Sequence, residues 1–256
     1  MVEDTNKQEI EVEWSFTLPG YFEDQVILKL DGYSIEINSG CITAKMTADF
    51  FDSRPGFRDS LTQELNDYFL GAQAIRRQAF DIQGGAIVRK WPDGRRDTTI
   101  VVQSAAIKMT AGNSDLVYTD PDSVVHDTRK ERIDATNHLG KLSARHADTD
   151  QTGRKILDSF DASVRDPENE LVHLYEIWEA LTQKFGSERN AKRALGVSSG
   201  ARSKLGQLAN NEPLNQGRHR GRHAGSLRDA TAEELDEARA IARDMLASYL
   251  EYLDRL

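Results

Sequence analysis

The sequence predicts an α+β protein with a β-rich N-terminal domain that contains one prominent helix, followed by an all-helical C-terminal domain. Two observations support this fold class. Apolar residues alternate with polar ones over the first part of the chain, whereas they recur three or four residues apart in the second part. We place the domains at residues 1–118 and 151–256 and a helical connector and linker at 119–150.

The N-terminal domain is predicted to consist mainly of strands. Residues 10–18 alternate in polarity, and further strands are expected at 25–30, 33–37 and 41–47, because turn-forming pairs such as Asp31-Gly32 separate them. Helical spacing predicts a helix at 57–75. Two more strands, at 86–88 and 99–109, flank a tight turn at 91–94. We interpret this domain as a sensing or regulatory unit.

The C-terminal half is predicted to be helical from residue 120 onward. A wide apolar stripe runs from Leu171 to Leu181 after a break at Asp166-Pro167, and Gly186 ends that helix. Thr231 and Glu234 match a capping box, which marks the start of the last helix. The short polar stretch 147–152 is the segment most typical of a linker.

The composition predicts a soluble cytoplasmic protein that does not span a membrane. The chain has no apolar run near the ~18–20 residues that cross a bilayer, and its acidic start lacks the apolar core of a signal peptide. A single cysteine, Cys41, excludes an intrachain disulfide and fits a reducing compartment.

The charge of the chain is unevenly distributed along the sequence. The whole chain carries −9, but residues 181–228 contain ten basic and two acidic residues, a net +8 that leaves −17 on the rest. Such asymmetry indicates an anionic partner, RNA or another polyanion, for the basic segment. The alternative is a solvated helical surface that is basic without a ligand.

The richest chemistry lies in the loop that contains Arg218, His219, Arg220, Arg222 and His223. Arginine stays charged and binds phosphate through two hydrogen bonds, whereas histidine exchanges protons near neutral pH. Such groups together suffice for metal-free RNA cleavage: one takes the proton of a ribose 2′-OH and another protonates the departing 5′ oxygen. Arginine meanwhile stabilises the phosphate charge. The alternative is a solvated turn whose arginines pair with surface acids.

Arg218, four residues and then His223 resemble the R-x4–6-H signature of the HEPN superfamily, and the helices on both sides of the motif are also similar. The resemblance covers residues 154–256. It implies a helical bundle, a homodimer formed through this domain, and a metal-independent endoribonuclease of bacterial defence. It also implies that Arg218 binds the scissile phosphate and that His223 serves as acid or base. His219, Arg220, Arg222 and Arg228 are the further anion-binding candidates.

Two other functions stay open from the sequence. Members of that superfamily without activity act as scaffolds or interaction modules. Residues 190–198 resemble the first helix and turn of a helix-turn-helix, with Leu205 on a second helix that would read duplex DNA; a simple corner between two helices is the alternative.

No cofactor or metal is predicted. His126, His138 and His146 lack the spacing of metal ligands, and neither a phosphate-binding glycine loop nor a serine-hydrolase elbow is present.

Overall fold

The computed structural model describes residues 8–100, 115, 117–119, 125–223 and 225–256, with the backbone alone at 118, 119, 125, 126, 222 and 223. Its contacts divide the chain into two compact units. The first comprises Met1–Asn66 and Phe80–Asn137, and the second comprises Asp67–Ala79 and His138–Leu256. The predicted α+β class is confirmed, since a sheet occupies the N-terminal half and helices the C-terminal half.

The first unit is built on a six-stranded antiparallel sheet in the order β2-β3-β4-β1-β5-β6. Its strands are β1 (Glu9–Phe16), β2 (Val26–Leu30), β3 (Tyr33–Asn38), β4 (Cys41–Thr47), β5 (Ile82–Lys90) and β6 (Arg96–Ile100). Two helices connect β4 to β5, namely α1 (Ala48–Asp52) and α2 (Phe57–Arg76).

Alternation along β1 explains why the sheet has one buried face. Ile10, Val12, Trp14 and Phe16 are all buried, while the residues between them are at least partly exposed. The Trp14 indole N–H donates to Oγ1 of Thr62 at 3.0 Å, so the first half of α2 covers this face. Burial of an indole requires such a partner for its only donor.

Two predicted strands differ in length from the observed ones. The first ends at Phe16 rather than residue 18, because Leu18 has a φ of +68° that a strand does not accommodate. Strand β5 is longer than the predicted 86–88 and contains a bulge at Gly85, where a Cβ would lie 2.7 Å from the carbonyl oxygen of Glu13. Of the predicted strand 99–109, residues 101–109 lie outside the described residues.

The prediction of a helix from residue 120 onward is wrong at residues 125–127. Strand β8 (Val125–Asp127) pairs there with β7 (Val117–Thr119), and the helix α3 (Thr128–His146) begins only afterwards. The cause is a side-chain cap: Oδ1 of Asp127 accepts hydrogen bonds from the backbone N–H groups of Arg129 and Lys130 at 3.1 and 3.0 Å.

The second unit is helical and is organised around one central helix. It contains α4 (Gln151–Arg165), α5 (Glu170–Lys184), α6 (Glu188–Leu195), α7 (Ser199–Gly206) and α8 (Ala232–Asp254). Helix α5 contacts each of the other four. Shorter turns complete the unit, a 3-10 turn at Pro167–Asn169, a π turn at Gln207–Asn211 and a 3-10 turn at Arg220–His223.

The segment 147–152, expected to be a linker, lies inside the second unit. Ala147 is buried, and Oδ1 of Asp150 caps α4 by accepting the backbone N–H of Gly153 at 2.7 Å. Its other oxygen accepts from Lys184 at 2.9 Å. A short polar stretch between two helices is therefore a packed corner, which composition alone does not distinguish from a flexible linker.

Candidate functional site

Helix α5 supports the arginine–histidine loop through the face that it does not bury. Leu171, Leu174 and Leu181 point into the core, as their spacing predicts. On the other side, Tyr175 is half-buried and Glu179 is exposed. This exposed face of α5 is where the loop is attached.

The loop is closed at its base by a short backbone bridge between Leu214 and Arg228. Asn215 N–H donates to the Arg228 carbonyl at 2.9 Å, and Arg228 N–H donates to the carbonyl of Pro213 at 2.9 Å. The guanidinium of Arg228 binds both carboxylate oxygens of Glu234 at 2.7 Å, and Glu234 also completes the capping box of α8 with Thr231. Arg228, a predicted anion-binding residue, thus ties the loop to α8.

The bond from Arg228 also changes the acidity of its partner. This ion pair, aided by the backbone N–H of Thr231, lowers the pKa of Glu234 to about 2. The capping carboxylate is therefore ionised well below neutral pH.

Gly217 fixes the root of the loop against the π turn. It is buried, and a Cβ there would lie 3.1 Å from the carbonyl oxygen of Ala209 and 3.3 Å from that of Leu214. The next N–H, that of Arg218, donates to the same Ala209 oxygen at 2.7 Å. A side chain at 217 would fit only if these backbone carbonyls moved by a few tenths of an ångström.

Arg218, the predicted phosphate-binding residue, lies against α5. Its Nη1 donates to Oε1 of Glu179 at 2.6 Å, and its guanidinium carbon is 5.2 Å from the centre of the Tyr175 ring. The side chain keeps 30% of its surface exposed. An exposed pair of this kind contributes only ~0.2–1 kcal/mol, so a phosphate can take the place of the glutamate.

Arg220 holds the middle of the loop at the start of α5. It donates to the carbonyl oxygen of Gly217 at 3.1 Å and to that of Glu168 at 2.9 Å, and it also binds Oδ1 of Asn169. All three acceptors are uncharged. Among the described residues Arg220 therefore has no carboxylate partner, and it ties the backbone of Gly217 to the turn before α5.

His219 is exposed and makes no hydrogen bond within the part of the chain that the structure describes. The side chains of Arg222 and His223 lie outside that part, although their backbone belongs to the 3-10 turn after His219. Of three consecutive residues, Arg218 binds α5, Arg220 binds the turn before α5, and His219 is exposed between them in sequence. The distance between Arg218 and His223, the predicted catalytic pair, lies outside the described residues.

Sequence reasoning missed a polar network next to Arg220. Asn169 donates to Oδ2 of Asp166 at 2.7 Å, and Nε2 of His173 lies 3.3 Å from the same oxygen. These two bonds lower the pKa of Asp166. Glu176 faces the other ring nitrogen of His173 at 3.5 Å. The i, i+3 spacing of His173 and Glu176 was the only sequence signal for this network.

In the folded structure, many basic residues of the segment 181–228 lie next to acidic residues, although few acids accompany them along the chain. Several of its cations pair with acids, most of which come from other parts of the second unit: Lys184 with Asp150, Lys192 and Arg202 with Glu188, Lys204 with Glu237, Arg218 with Glu179, and Arg228 with Glu234. Arg189 is exposed and has no carboxylate partner among the described residues. Among the described side chains, positive charge without a carboxylate partner therefore remains at only a few positions, of which Arg220 lies in the loop.

Helices α6 and α7 form a tight corner, as one alternative expected. Gly196 joins them with a φ of +68°, and the Ser198 side chain caps α7 by accepting the N–H of Ala201 at 3.0 Å. Lys192, which falls where a helix-turn-helix needs a small residue, reaches outward to Glu188 at 2.8 Å. The exposed start of α7 carries Ser199 and Gly200, which lack the long hydrogen-bonding side chains that make bidentate contacts with base edges.

The chain matches no protein-family model, no curated protein and no solved structure. Within the described residues, no three His, Cys, Asp or Glu side chains are grouped closely enough to hold a metal ion. None of the helices described is both long and apolar enough to cross a membrane.

Proposed function

We propose that this chain binds RNA at the loop formed by residues 217–223 and that the RNA strand is cut there without a metal ion. The observation that carries the proposal is the placement of Arg218 and His219. Gly217 and Arg220 hold the backbone on either side, and Arg218 and His219 between them are two consecutive residues that are both exposed, so a guanidinium and an imidazole are presented from one fixed stretch of backbone. A held loop presents these groups to a phosphate without the entropic cost of ordering them.

The proposed chemistry uses only groups of this loop. Arg218 exchanges Glu179 for a phosphate oxygen and stabilises the negative charge that builds up there. One imidazole takes the proton of the ribose 2′-OH, whose oxygen attacks phosphorus, and a second imidazole protonates the 5′ oxygen as its bond to phosphorus breaks. We assign these two proton transfers to His223 and His219. The products are a 2′,3′-cyclic phosphate and a 5′-OH.

The test is incubation of the full chain with mixed-sequence RNA in EDTA, next to the variants Arg218→Ala and His223→Ala. Arg189→Ala removes the same charge from an exposed position on α6 and serves as the control. We expect cleavage by the parent and the control, with cyclic phosphate ends, and at least a hundredfold slower cleavage by the two loop variants. Cleavage that survives both substitutions refutes the site.

RNA binding without cleavage under all conditions favours a non-catalytic interaction module. The resemblance to the HEPN superfamily supports two further parts of the proposal, namely a homodimer formed through the helical domain and a role in bacterial defence. A cytoplasmic location is supported by the single cysteine, which fits a reducing compartment. Measurement of the molecular mass in solution tests the dimer.

A DNA-binding regulator is the second candidate, because two short helices, α6 and α7, follow each other across a turn at Gly196, as the sequence resemblance to a helix-turn-helix requires. In that case Arg202→Ala and Lys204→Ala weaken binding to duplex DNA. If the parent protein does not bind duplex DNA, this candidate is excluded.

A further inference from the structure

A groove lies on the second unit between α5 and the α6–α7 corner, and it has a volume of about 480 Å³. Its walls include Tyr175, Trp178, Glu179, Thr182, Glu188 and Arg202. This volume is within the range of pockets that take small organic ligands. The groove is distinct from the loop, but two of its residues also contact the loop.

Tyr175 and Glu179 are those two residues. Arg218 binds Glu179 at 2.6 Å and lies 5.2 Å from the centre of the Tyr175 ring. A phosphate that replaces Glu179 at Arg218 therefore stands at the edge of the groove. The sugar and base attached to that phosphate are then close enough to enter it.

The charges that line the groove are already paired. Glu188 contacts Lys192 at 2.8 Å and Arg202 at 3.0 Å, and Glu179 is bound by Arg218. When a phosphate takes Arg218, Glu179 is left as an unpaired carboxylate at the edge of the groove, so the groove suits an uncharged ligand better than a second phosphate. Its carboxylate oxygens can still accept hydrogen bonds from N–H groups of such a ligand.

The remaining walls fit a flat ring. Tyr175 is half-buried, so its ring is the aromatic surface that the groove offers for stacking, whereas Trp178 belongs to the hydrophobic core. Oγ1 of Thr182 is buried and has no hydrogen-bond partner within the described residues. Rotation about the Cα–Cβ bond of Thr182 would let this hydroxyl form a hydrogen bond with a polar group of a ligand in the groove.

We infer that this groove binds the base of the nucleotide whose phosphate lies on Arg218, an inference that rests on the proposed RNA-binding function. The carboxylates of the groove favour a base with an exocyclic amino group, which adenine, guanine and cytosine carry and uracil lacks. The groove thereby selects the nucleotide next to the cleaved bond.

The experiment is titration of the full chain with adenosine 5′-monophosphate, uridine 5′-monophosphate, ribose 5-phosphate and adenosine, followed by calorimetry. We expect the adenine nucleotide to bind about tenfold more tightly than ribose 5-phosphate, and more tightly than the uracil nucleotide. Tyr175→Leu should remove this advantage, so that the adenine nucleotide and ribose 5-phosphate bind the variant equally. Tyr252→Leu, the same change on a half-buried tyrosine of α8, should not alter it.

Thr182→Val keeps the shape of the groove and should also lower the affinity for the adenine nucleotide. The test therefore does not depend on a single variant. Equal affinities for the adenine nucleotide and ribose 5-phosphate overturn the inference. Adenosine separates the two proposals because it has no phosphate. If adenosine binds the parent but not Tyr175→Leu, and RNA does not bind, the groove is supported and the RNA-binding function fails. If RNA binds and adenosine does not, the RNA-binding function is supported and the groove fails.

Discussion

The hydroxyl of Tyr249 donates a hydrogen bond to Oδ1 of Asp150 at 2.9 Å. This bond joins α8 to the start of α4, because the same carboxylate caps α4 and accepts from Lys184. Burial, followed by the bond to Asp150, raises the pKa of Tyr249 to about 12. Burial by itself would raise the pKa of Asp150, but its bonds from Lys184, Gly153 and Tyr249 together lower it.

Replacing Asp150 by alanine should destabilise the protein by about 2–3 kcal/mol, since α4 loses its cap and a buried tyrosine hydroxyl loses its acceptor. Urea denaturation measures this loss. Asp148→Ala removes the same charge from an exposed position two residues earlier and should change stability by less than about 0.5 kcal/mol. Equal losses of stability for the two variants would show that the hydrogen bonds of Asp150 do not stabilise the fold.

Stability should fall as the pH drops below about 4.5, because Glu234 titrates at about 2 in the folded state and near 4.5 without its partners. Its contribution is fully present above pH 4.5 and is lost as the pH falls toward 2, where the unfolded state has bound more protons. Thermal unfolding at several pH values measures the slope. Arg228→Gln should make it shallower, whereas Arg189→Gln, an exposed arginine without a carboxylate partner in the described part of the chain, should not.

Glu170 is buried at the start of α5 and binds two arginines, Arg77 at 2.6 Å and Arg239 through both carboxylate oxygens at 2.7 and 2.8 Å. Glu170→Gln should cost about 3–5 kcal/mol, because it removes the carboxylate that Arg77 binds while partly buried and leaves Arg239 with only the exposed Asp236 as its counter-charge. Glu168→Gln, the same change at an exposed residue, should have little effect. The double variant Glu170→Leu/Arg239→Leu should lose less stability than the sum of the losses of its two single variants. Additive losses would contradict the pairing of Glu170 with Arg239.

Gly217→Ala should loosen the loop, because the added Cβ would lie 3.1 Å from the carbonyl oxygen of Ala209. We expect a stability loss of about 1–3 kcal/mol and weaker RNA binding in fluorescence anisotropy. Gly221→Ala is the matched control, since a Cβ there meets nothing within 4 Å. Loss of RNA binding by Gly221→Ala alone would place the binding surface elsewhere in the loop.

Local patterns predicted the elements of this fold better than the partners of its loop. Alternation in 10–16 and the Thr231 capping box depend on neighbouring residues, so the sequence contains the whole signal. The bonds from Arg218 to Glu179 and from Arg220 to Asn169 join residues 39 and 51 positions apart. No spacing rule connects such residues, because the packing of the loop on α5 brings them together.

The pairing of charges could not be predicted from the sequence for the same reason. A count along the chain shows a basic segment, whereas the acids of α5 and α8 that neutralise much of it become neighbours only on folding. Arg228 illustrates the consequence: it was expected to bind an anionic ligand, and in the structure both oxygens of Glu234 occupy it.

The bridge between Leu214 and Arg228 has a consequence for how the loop can vary. Because the two ends of the loop are joined to each other, its length and composition can change without moving the helices before and after it. The loop is therefore an exchangeable insert on a fixed support, and a replacement that keeps the residues of the bridge can give this scaffold a different ligand.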